Sequence, residues 1–213
     1  MILPSGAELR LTGPTAAAAV ICVNGGQGRE VEGTWSASLE WLVQRLAPSF
    51  PTFTFAEVRY RIKSWNTLDL CIEDAREAVQ EIGAERTLLV GFSMGGIVSS
   101  QIAAEPSVET IVGLAPWFPE RLSLDQLRGK RLRVLHGSLD RGLPGIPGVT
   151  PASSRRGFDR AIAIGAEGEY TIIPGAVHGV ALRAHWGRPL PLPRARTWAR
   201  LVGDELRRFQ APG

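Results

Sequence analysis

Residues 88–100 read L-L-V-G-F-S-M-G-G-I-V-S-S, and this stretch decides the fold. The apolar run that ends at Val90 is typical of a strand buried on both faces of a sheet. The residues that follow the turn begin the apolar face of a helix. Ser93 therefore lies at a sharp corner, and Gly91 and Gly95 allow chain segments to pass too close to it for a β-carbon. A G-x-S-x-G turn between a strand and a helix presents its serine as a nucleophile.

Strands and helices alternate along the chain on both sides of this turn. Apolar runs predict further strands near residues 18–23, 52–58, 109–114, 132–135 and 170–173, with a weak edge strand near 8–11. Helical spacing of apolar residues predicts helices over 35–46, 67–82, 153–164 and 198–209, and a short one near 122–127. Asn66 is the predicted N-cap of the second of these helices, and Gly83 ends it.

This alternation predicts an α/β protein with a mostly parallel sheet and helices on both faces. The interval between the strands near 109–114 and 132–135 is short, so we expect no large cap domain. In sheets of this kind, sites form at the carboxyl ends of the strands.

The composition is that of a globular protein and bounds the classes of function. The chain has 213 residues, 44% of them hydrophobic and 21% charged, which predicts one domain over residues 1–213. A net charge of +3 is too small and too scattered to indicate nucleic acid as a partner. The two cysteines lie in apolar patterns and are expected to be reduced. No signal peptide or membrane span is evident, so we expect a cytoplasmic location without a membrane partner.

A serine nucleophile needs a general base, and the chain has three histidines. His178 follows the last predicted strand, in a loop bounded by glycines, and is the favoured base. His185 lies further along the chain and is the alternative. His136 lies at the end of a strand, where we expect it to hold the following loop through hydrogen bonds rather than to reach the serine.

The base in turn needs an acid that orients it. Asp140 follows the strand that ends at His136 and is the favoured acid, although an aspartate before a Gly/Pro-rich stretch is often only a turn former. Glu120 and Asp159 are the alternatives; the first follows the preceding strand and the second lies in a helix pattern.

Three segments in the order Ser93, Asp140, His178 resemble the α/β-hydrolase family. G-F-S-M-G-G resembles its nucleophile turn, H-G-S-L-D its acid-bearing segment and G-A-V-H-G its histidine loop, and the resemblance covers nearly the whole chain. The resemblance implies an oxyanion hole formed by the backbone N–H groups of Met94 and Gly26. Members of the family often carry His-Gly-x where this chain has N-G-G at positions 24–26, a departure that leaves the backbone donor intact.

The same glycine-rich loop has to be tested as a phosphate-binding turn. Gly26 and Gly28 begin a G-x-G-x-x-G pattern, but Val31 stands where the third glycine would be, and only Glu57 resembles a ribose-binding acid. The sequence also lacks a P-loop motif and a cluster with metal-ligand spacing. We therefore expect neither a cofactor nor a metal.

Aromatic residues near strand ends are the first clue to a substrate. Trp35, Trp117 and Phe118 are candidates to line a substrate pocket, and ordinary packing is the alternative for each. The segment 141–151 is rich in proline and glycine and is a candidate to cover part of the cleft.

Basic residues provide a second clue. Arg59, Arg61 and Lys63 alternate, so they share one face of a strand. This pattern favours a solvated face, with binding of an anionic substrate group as the alternative.

These features predict a lidless, cofactor-independent serine hydrolase that cleaves a small ester or thioester. The same triad also serves acyl transfer, carbon–carbon bond hydrolysis or perhydrolysis, so the motifs define the chemistry better than the substrate. The alternative from another class is a non-catalytic relative that binds a ligand or a protein partner. The presence of Ser93, Asp140 and His178 together disfavours that alternative.

Overall fold

A computed structural model describes residues 1–141 and 148–211 of the chain. Within these residues, the strands of the central sheet are Glu8–Thr12 (β1), Ala18–Val23 (β2), Phe53–Arg59 (β3), Arg86–Phe92 (β4), Val108–Leu114 (β5), Arg131–Gly137 (β6) and Glu167–Ile173 (β7). They lie side by side in the order β1-β3-β2-β4-β5-β6-β7. The edge strand β1 is antiparallel to β3, and the other neighbouring pairs are parallel. The predicted mostly parallel sheet is confirmed.

The α-helices of the same residues are Ala37–Leu46 (α1), Leu68–Ile82 (α2), Gly95–Gln101 (α3), Pro151–Ala163 (α4) and Ala195–Gln210 (α5). Helices α1 and α5 cover one face of the sheet, where Leu42 and Trp198 belong to one buried apolar cluster. Helices α2, α3 and α4 cover the other face, where Ala75, Ile97 and Phe158 belong to a second cluster. Because both faces are covered, the central strands read as nearly continuous apolar runs.

The first helix begins later than the sequence predicts. The side chain of Ser36 caps α1 by accepting from the N–H of Leu39, and the helix starts at Ala37. Trp35 therefore precedes the helix and does not belong to its apolar face.

Two boundaries around the second helix also differ from prediction. Thr67 is the N-cap of α2, whereas the side chain of Asn66 donates to the carbonyl of Gly28 and joins two loops. Strand β3 ends at Arg59, so the alternation predicted through residue 63 stops with the strand. The predicted end of α2 is confirmed, because Gly83 adopts a left-handed φ of 58° there.

A short hairpin of Ala181–Arg183 (β8) and Pro189–Pro191 (β9) lies beside α1. Sequence reasoning missed it because three-residue strands carry too short a pattern to detect. The predicted short helix near 122–127 is a single 3₁₀ turn, Asp125–Leu127. Across the described ranges, none of the helices combines the length and the apolar character needed to span a bilayer.

Candidate active site

The corner that carries Ser93 is held in a conformation that few residues adopt. Ser93 has a φ of 53°, in the left-handed region, between β4 and α3. Its N–H donates to the carbonyl of Leu114 (2.9 Å), and its carbonyl accepts from the N–H of Trp117 (2.9 Å). A β-carbon at Gly95 would lie 2.1 Å from the carbonyl oxygen of Val23, so only glycine fits there. The neighbouring strand ends thus fix the serine at the carboxyl edge of the sheet.

Asp140 and His178 meet at the same edge. Asp140 follows β6, His178 follows β7, and these two strands are neighbours. Nδ1 of His178 lies 2.6 Å from Oδ2 of Asp140. Because an ionised carboxylate only accepts, Nδ1 carries the proton and Nε2 keeps a free lone pair. The side chain of Asp140 is fully buried and that of His178 is 12% exposed, so the acid is shielded while the imidazole reaches the surface of the site.

A second imidazole, that of His136, holds the same carboxylate. Its Nε2 lies 3.0 Å from Oδ2 of Asp140 and 2.8 Å from the carbonyl oxygen of Val149. Because a carbonyl oxygen only accepts, this nitrogen carries a proton and donates to both groups. Burial alone would raise the pKa of Asp140, but the hydrogen bonds from His136 and His178 outweigh it and hold that pKa below its ordinary value. Asp140 is therefore ionised at neutral pH. His136 contacts the following loop, as the sequence predicts, and it also contacts the acid, which the sequence does not predict.

The segment after His178 is fixed to helix α1 by one buried hydroxyl. Oγ of Ser38 accepts from the N–H groups of Val180 (2.9 Å) and Ala181 (3.1 Å) and donates to the carbonyl of Ala181 (3.1 Å). The ring of Phe92 supports the imidazole of His178, with 5.1 Å between the ring centroids. Sequence reasoning missed Ser38 because no pattern distinguishes a serine that binds a distant loop from one that caps a helix.

Gly26 and Met94 lie next to each other beside the serine. A β-carbon at Gly26 would lie 2.2 Å from Sδ of Met94, so the loop after β2 touches the residue that follows Ser93. In the part of the chain that the structure describes, neither backbone N–H has an acceptor. Both N–H groups thus lack a protein acceptor within the described ranges.

The loop that carries Gly26 is anchored by Asn24. Its side-chain N–H donates to the carbonyl of Thr34 (2.7 Å), and its Oδ1 accepts from the N–H of Gly25 (2.7 Å). Its backbone carbonyl accepts from the hydroxyl of Tyr60, which is itself buried (2.9 Å). Asn24 thus shapes the loop through three bonds, at the position where the sequence departs from the family's usual pattern.

One cavity of about 280 Å³ brings the predicted residues together. Ser93, His178 and Gly26 line it, and its charged lining residues are Lys63, Asp140 and Arg141. Among the described residues, no hydrogen bond joins Oγ of Ser93 to His178. Ser93 and His178 thus line the same cavity.

Ser93 also lines a second cavity, of about 240 Å³. Apart from the serine, its lining residues are Trp65, Met94, Trp117, Gly148 and Val149. This lining is largely apolar and aromatic. Ser93 thus lines two cavities, one that includes three charged residues and one whose other lining residues carry no charge.

The aromatic residues proposed for a substrate pocket have different places. Trp117 lines the second cavity. Trp35 lies under the guanidinium of Arg10, 4.6 Å from the ring centre. Phe118 is 3% exposed and packs so closely on Gly157 that a β-carbon there would lie 2.4 Å from its own. The structure places Trp35 and Phe118 in packing positions, which corrects the expectation for these two.

The alternatives for base and acid lie away from the serine. His185 is exposed in the turn between β8 and β9. Glu120 and Asp159 are exposed and pair with arginines of α4. Glu57, considered as a ribose-binding acid, accepts two hydrogen bonds from Arg10 (2.8 and 2.7 Å). Of the segment 141–151 that was considered as a cover for the cleft, residues 142–147 lie outside the described residues.

The chain belongs to the alpha/beta hydrolase family, whose family model matches residues 17–212. Solved structures share the fold at low sequence identity. A protein described as a predicted CIB-like hydrolase from Thermoplasma acidophilum is 17% identical with a TM-score of 0.68, over 98% of this chain and 97% of that chain. Est1E from Butyrivibrio proteoclasticus is 12% identical with a TM-score of 0.69, over 97% and 94%. A monoacylglycerol lipase from Paleococcus ferrophilus is 13% identical with a TM-score of 0.66, over 96% and 99%. A search of curated proteins found no match.

Proposed function

We propose that the protein is a serine hydrolase that cleaves a small carboxylic ester or thioester through an acyl-serine intermediate. One observation carries the proposal: Ser93, at its strained corner, shares a cavity with His178, whose imidazole is held by the buried carboxylate of Asp140. A serine hydroxyl needs such a base, and the base needs such an acid. Membership of the alpha/beta hydrolase family and the lipase among the similar structures support the same class of reaction.

Acylation follows from these positions. Nε2 of His178 takes the hydroxyl proton of Ser93 while Oγ attacks the carbonyl carbon of the ester. Negative charge develops on the carbonyl oxygen, to which the N–H groups of Gly26 and Met94 donate. The imidazolium, held by Asp140, then gives its proton to the departing alkoxide or thiolate, and the acyl group remains on the serine.

Deacylation repeats the sequence with water. His178 takes a proton from a water molecule while the oxygen of that water attacks the acyl carbon. The bond between the acyl carbon and Oγ of Ser93 breaks, the proton returns to Oγ, and the carboxylic acid leaves. A hydrogen bond from Oγ of Ser93 to Nε2 of His178 has to form before acylation, and side-chain rotation in an accessible residue takes nanoseconds or less.

The two cavities support a small substrate. Their volumes, about 280 and 240 Å³, suit short acyl and alcohol groups better than long lipid chains. The second cavity, with Trp65 and Trp117, suits an apolar group on one side of the scissile bond.

Replacement of the nucleophile tests the proposal. The purified protein is assayed with p-nitrophenyl esters and matching thioesters of increasing acyl length. Ser93→Ala is expected to lower kcat by about 10⁴-fold or more, with an unchanged circular dichroism spectrum. Ser123→Ala, at an exposed serine that bonds only Asp125 and Gln101 among the described residues, is the matched control and should keep wild-type turnover. Undiminished turnover in Ser93→Ala would rule the assignment out. Hydrolysis releases acid and alcohol in equal amounts, and added alcohol does not change this ratio. Acyl transfer would release less acid than alcohol when a second alcohol is added.

A further inference from the structure

The alternating cations at and beyond the end of β3 have different partners. Arg59 pairs with Glu8, and Arg61 pairs with Asp74, with 3.3 Å between Nε and Oδ1. Lys63 differs from both, because among the described residues no carboxylate lies within ion-pair distance of it. Lys63 is therefore the member of this run without a counter-charge among the described residues.

Lys63 lines the cavity that also holds Ser93. The backbone N–H of Lys63 donates to the carbonyl of Val31 (2.8 Å), and its Nζ donates to Oγ1 of Thr34 (2.7 Å). This hydroxyl is neutral and uses one of the three ammonium protons, so two protons remain for another acceptor. Burial also lowers the pKa of Lys63 from its ordinary value, which means that the site holds a partly desolvated cation without a counter-charge.

A second cation, Arg141, lines the same cavity. The one carboxylate in this lining, that of Asp140, already accepts from His136 and His178. The cavity therefore offers two cations to an incoming ligand, while its acid is already engaged by imidazoles. A ligand anion would supply the missing counter-charge, as charge-assisted hydrogen bonds do in other sites.

We propose that Lys63, with Arg141, binds a negatively charged group of the substrate, so that the ester attacked by Ser93 also carries an anion such as a carboxylate. This inference rests on the proposed function of the same site and names its substrate class. Lys63 is a specificity residue in this account, and it takes no part in the proton transfers.

Pairs of esters that differ only in charge test the inference. One series has the anion on the acyl side: the mono-p-nitrophenyl esters of succinic, glutaric and adipic acid, each compared with its methyl-capped diester. The other series has the anion on the leaving group: 3- and 4-butyryloxybenzoate, each compared with its methyl ester. The protein is expected to prefer at least one charged ester over its capped partner in kcat/KM, and this preference should fall as added salt screens the charges.

Substitution of Lys63 tests whether this residue causes the preference for charged esters. A hydrogen bond to a charged group contributes enough to change affinity about tenfold, so Lys63→Gln should reduce the charged-to-capped ratio about tenfold. Lys63→Arg, which keeps the charge, should restore most of it, and Arg141→Gln should reduce it by a smaller factor. Arg59→Gln is the matched control: it removes the same charge from the same run of sequence, but from a side chain paired with Glu8, and it should leave the ratio unchanged.

The outcomes separate this inference from the proposed function. Rapid hydrolysis of capped esters with no preference for any charged partner would overturn the anion site and leave the hydrolase proposal intact. Equal losses on both members of each pair in Lys63→Gln would also overturn it. Calorimetric titration of Ser93→Ala with the charged esters measures binding without turnover. Suppose that the wild type hydrolyses no ester, that Ser93→Ala binds a charged ester, and that adding Lys63→Gln abolishes this binding. That result would support the anion site and contradict the proposed hydrolase activity.

Discussion

The hydroxyl of Ser38 is expected to position the loop that carries His178, and Ser38→Ala tests this directly. The side chain makes three hydrogen bonds to the backbone of Val180 and Ala181, the segment that follows His178. At about 1 kcal/mol for each bond, their loss predicts a fall of about 3 kcal/mol in the free energy of unfolding. In a chain of this length, that corresponds to a decrease of about 6–12 °C in Tm.

The same substitution should slow the reaction. Only Gly179 separates His178 from Val180, so release of the segment shifts the imidazole relative to Ser93. A displacement of about 1 Å in a reacting group costs up to about 100-fold, and we expect kcat for a p-nitrophenyl ester to fall between about tenfold and 100-fold.

Ser100→Ala is the control for the loss of a buried serine hydroxyl. Oγ of Ser100 donates to the carbonyl of Gly96 in its own helix (2.9 Å), and its removal leaves no backbone N–H without a partner. We expect a loss of about 1 kcal/mol or less and an unchanged kcat. Thermal unfolding and steady-state kinetics of both variants provide the comparison. A Ser38→Ala protein with wild-type kcat would refute the positioning role, and one with wild-type stability would refute the hydrogen bonds themselves.

Three further substitutions probe the corner and the acid. Gly95→Ala should lower the free energy of unfolding, measured in urea, by about 1–3 kcal/mol because the new β-carbon meets a backbone carbonyl. Gly203→Ala in α5 is the control: the nearest atom to its β-carbon lies at 3.4 Å, so it should be neutral or slightly stabilising. Equal effects of the two substitutions would contradict the close approach at Gly95. Asp140→Asn should lower kcat by about 10³–10⁴-fold, because an amide can favour the wrong imidazole tautomer. The pKa of Asp140 is lower in the folded protein than in the unfolded chain, where it is about 4. The ionised carboxylate therefore stabilises the fold above about pH 4, and this contribution is lost as pH falls through the folded pKa. The difference in unfolding free energy between wild type and Asp140→Asn should narrow below about pH 4, and a difference independent of pH would argue against the lowered pKa. His136→Phe removes one donor to this carboxylate and so raises the folded pKa of Asp140 toward its unfolded value. The pH-dependent part of the stability difference should therefore be smaller in that background, and an unchanged pH dependence would show that His136 does not stabilise the anion.

The fold could be predicted because its signals are local and repeated. Apolar runs such as Ala18–Val23 and Val108–Leu114 are buried from both sides of the sheet, so every residue of the run contributes to the signal. The glycine at position 95 marks a contact between chain segments that no side chain tolerates. Chain order then places Ser93, Asp140 and His178 after strands, and a parallel sheet brings such positions to one edge.

The environment of each side chain was less predictable, because it depends on residues distant in sequence. Ser38 binds a segment more than 140 positions away, and no local pattern carries that relation. Trp35 precedes a helix and Phe118 follows a strand, as residues of a pocket often do. In the structure, however, Trp35 packs against the guanidinium of Arg10, and Phe118 packs against Gly157.

The basic run 59–63 illustrates the same limit. Alternation predicts that its three cations share one environment. Strand β3 ends at Arg59, however, and the backbone beyond it pairs with the loop before α1 through the bridge between Glu32 and Ile62. This pairing brings Lys63 to the cavity, while acids from elsewhere in the chain reach Arg61.

The most direct test of the account is the reaction of the folded protein with a fluorophosphonate probe, followed by peptide mapping in a mass spectrometer. Phosphonylation needs an activated serine and donors for the phosphoryl oxygen, and so reports the assembled site without knowledge of the substrate. The account predicts one adduct for each chain, on Ser93, absent in Ser93→Ala and formed much more slowly in His178→Gln. A folded wild-type protein that forms no adduct, or forms it at another serine, would contradict the assignment of this site.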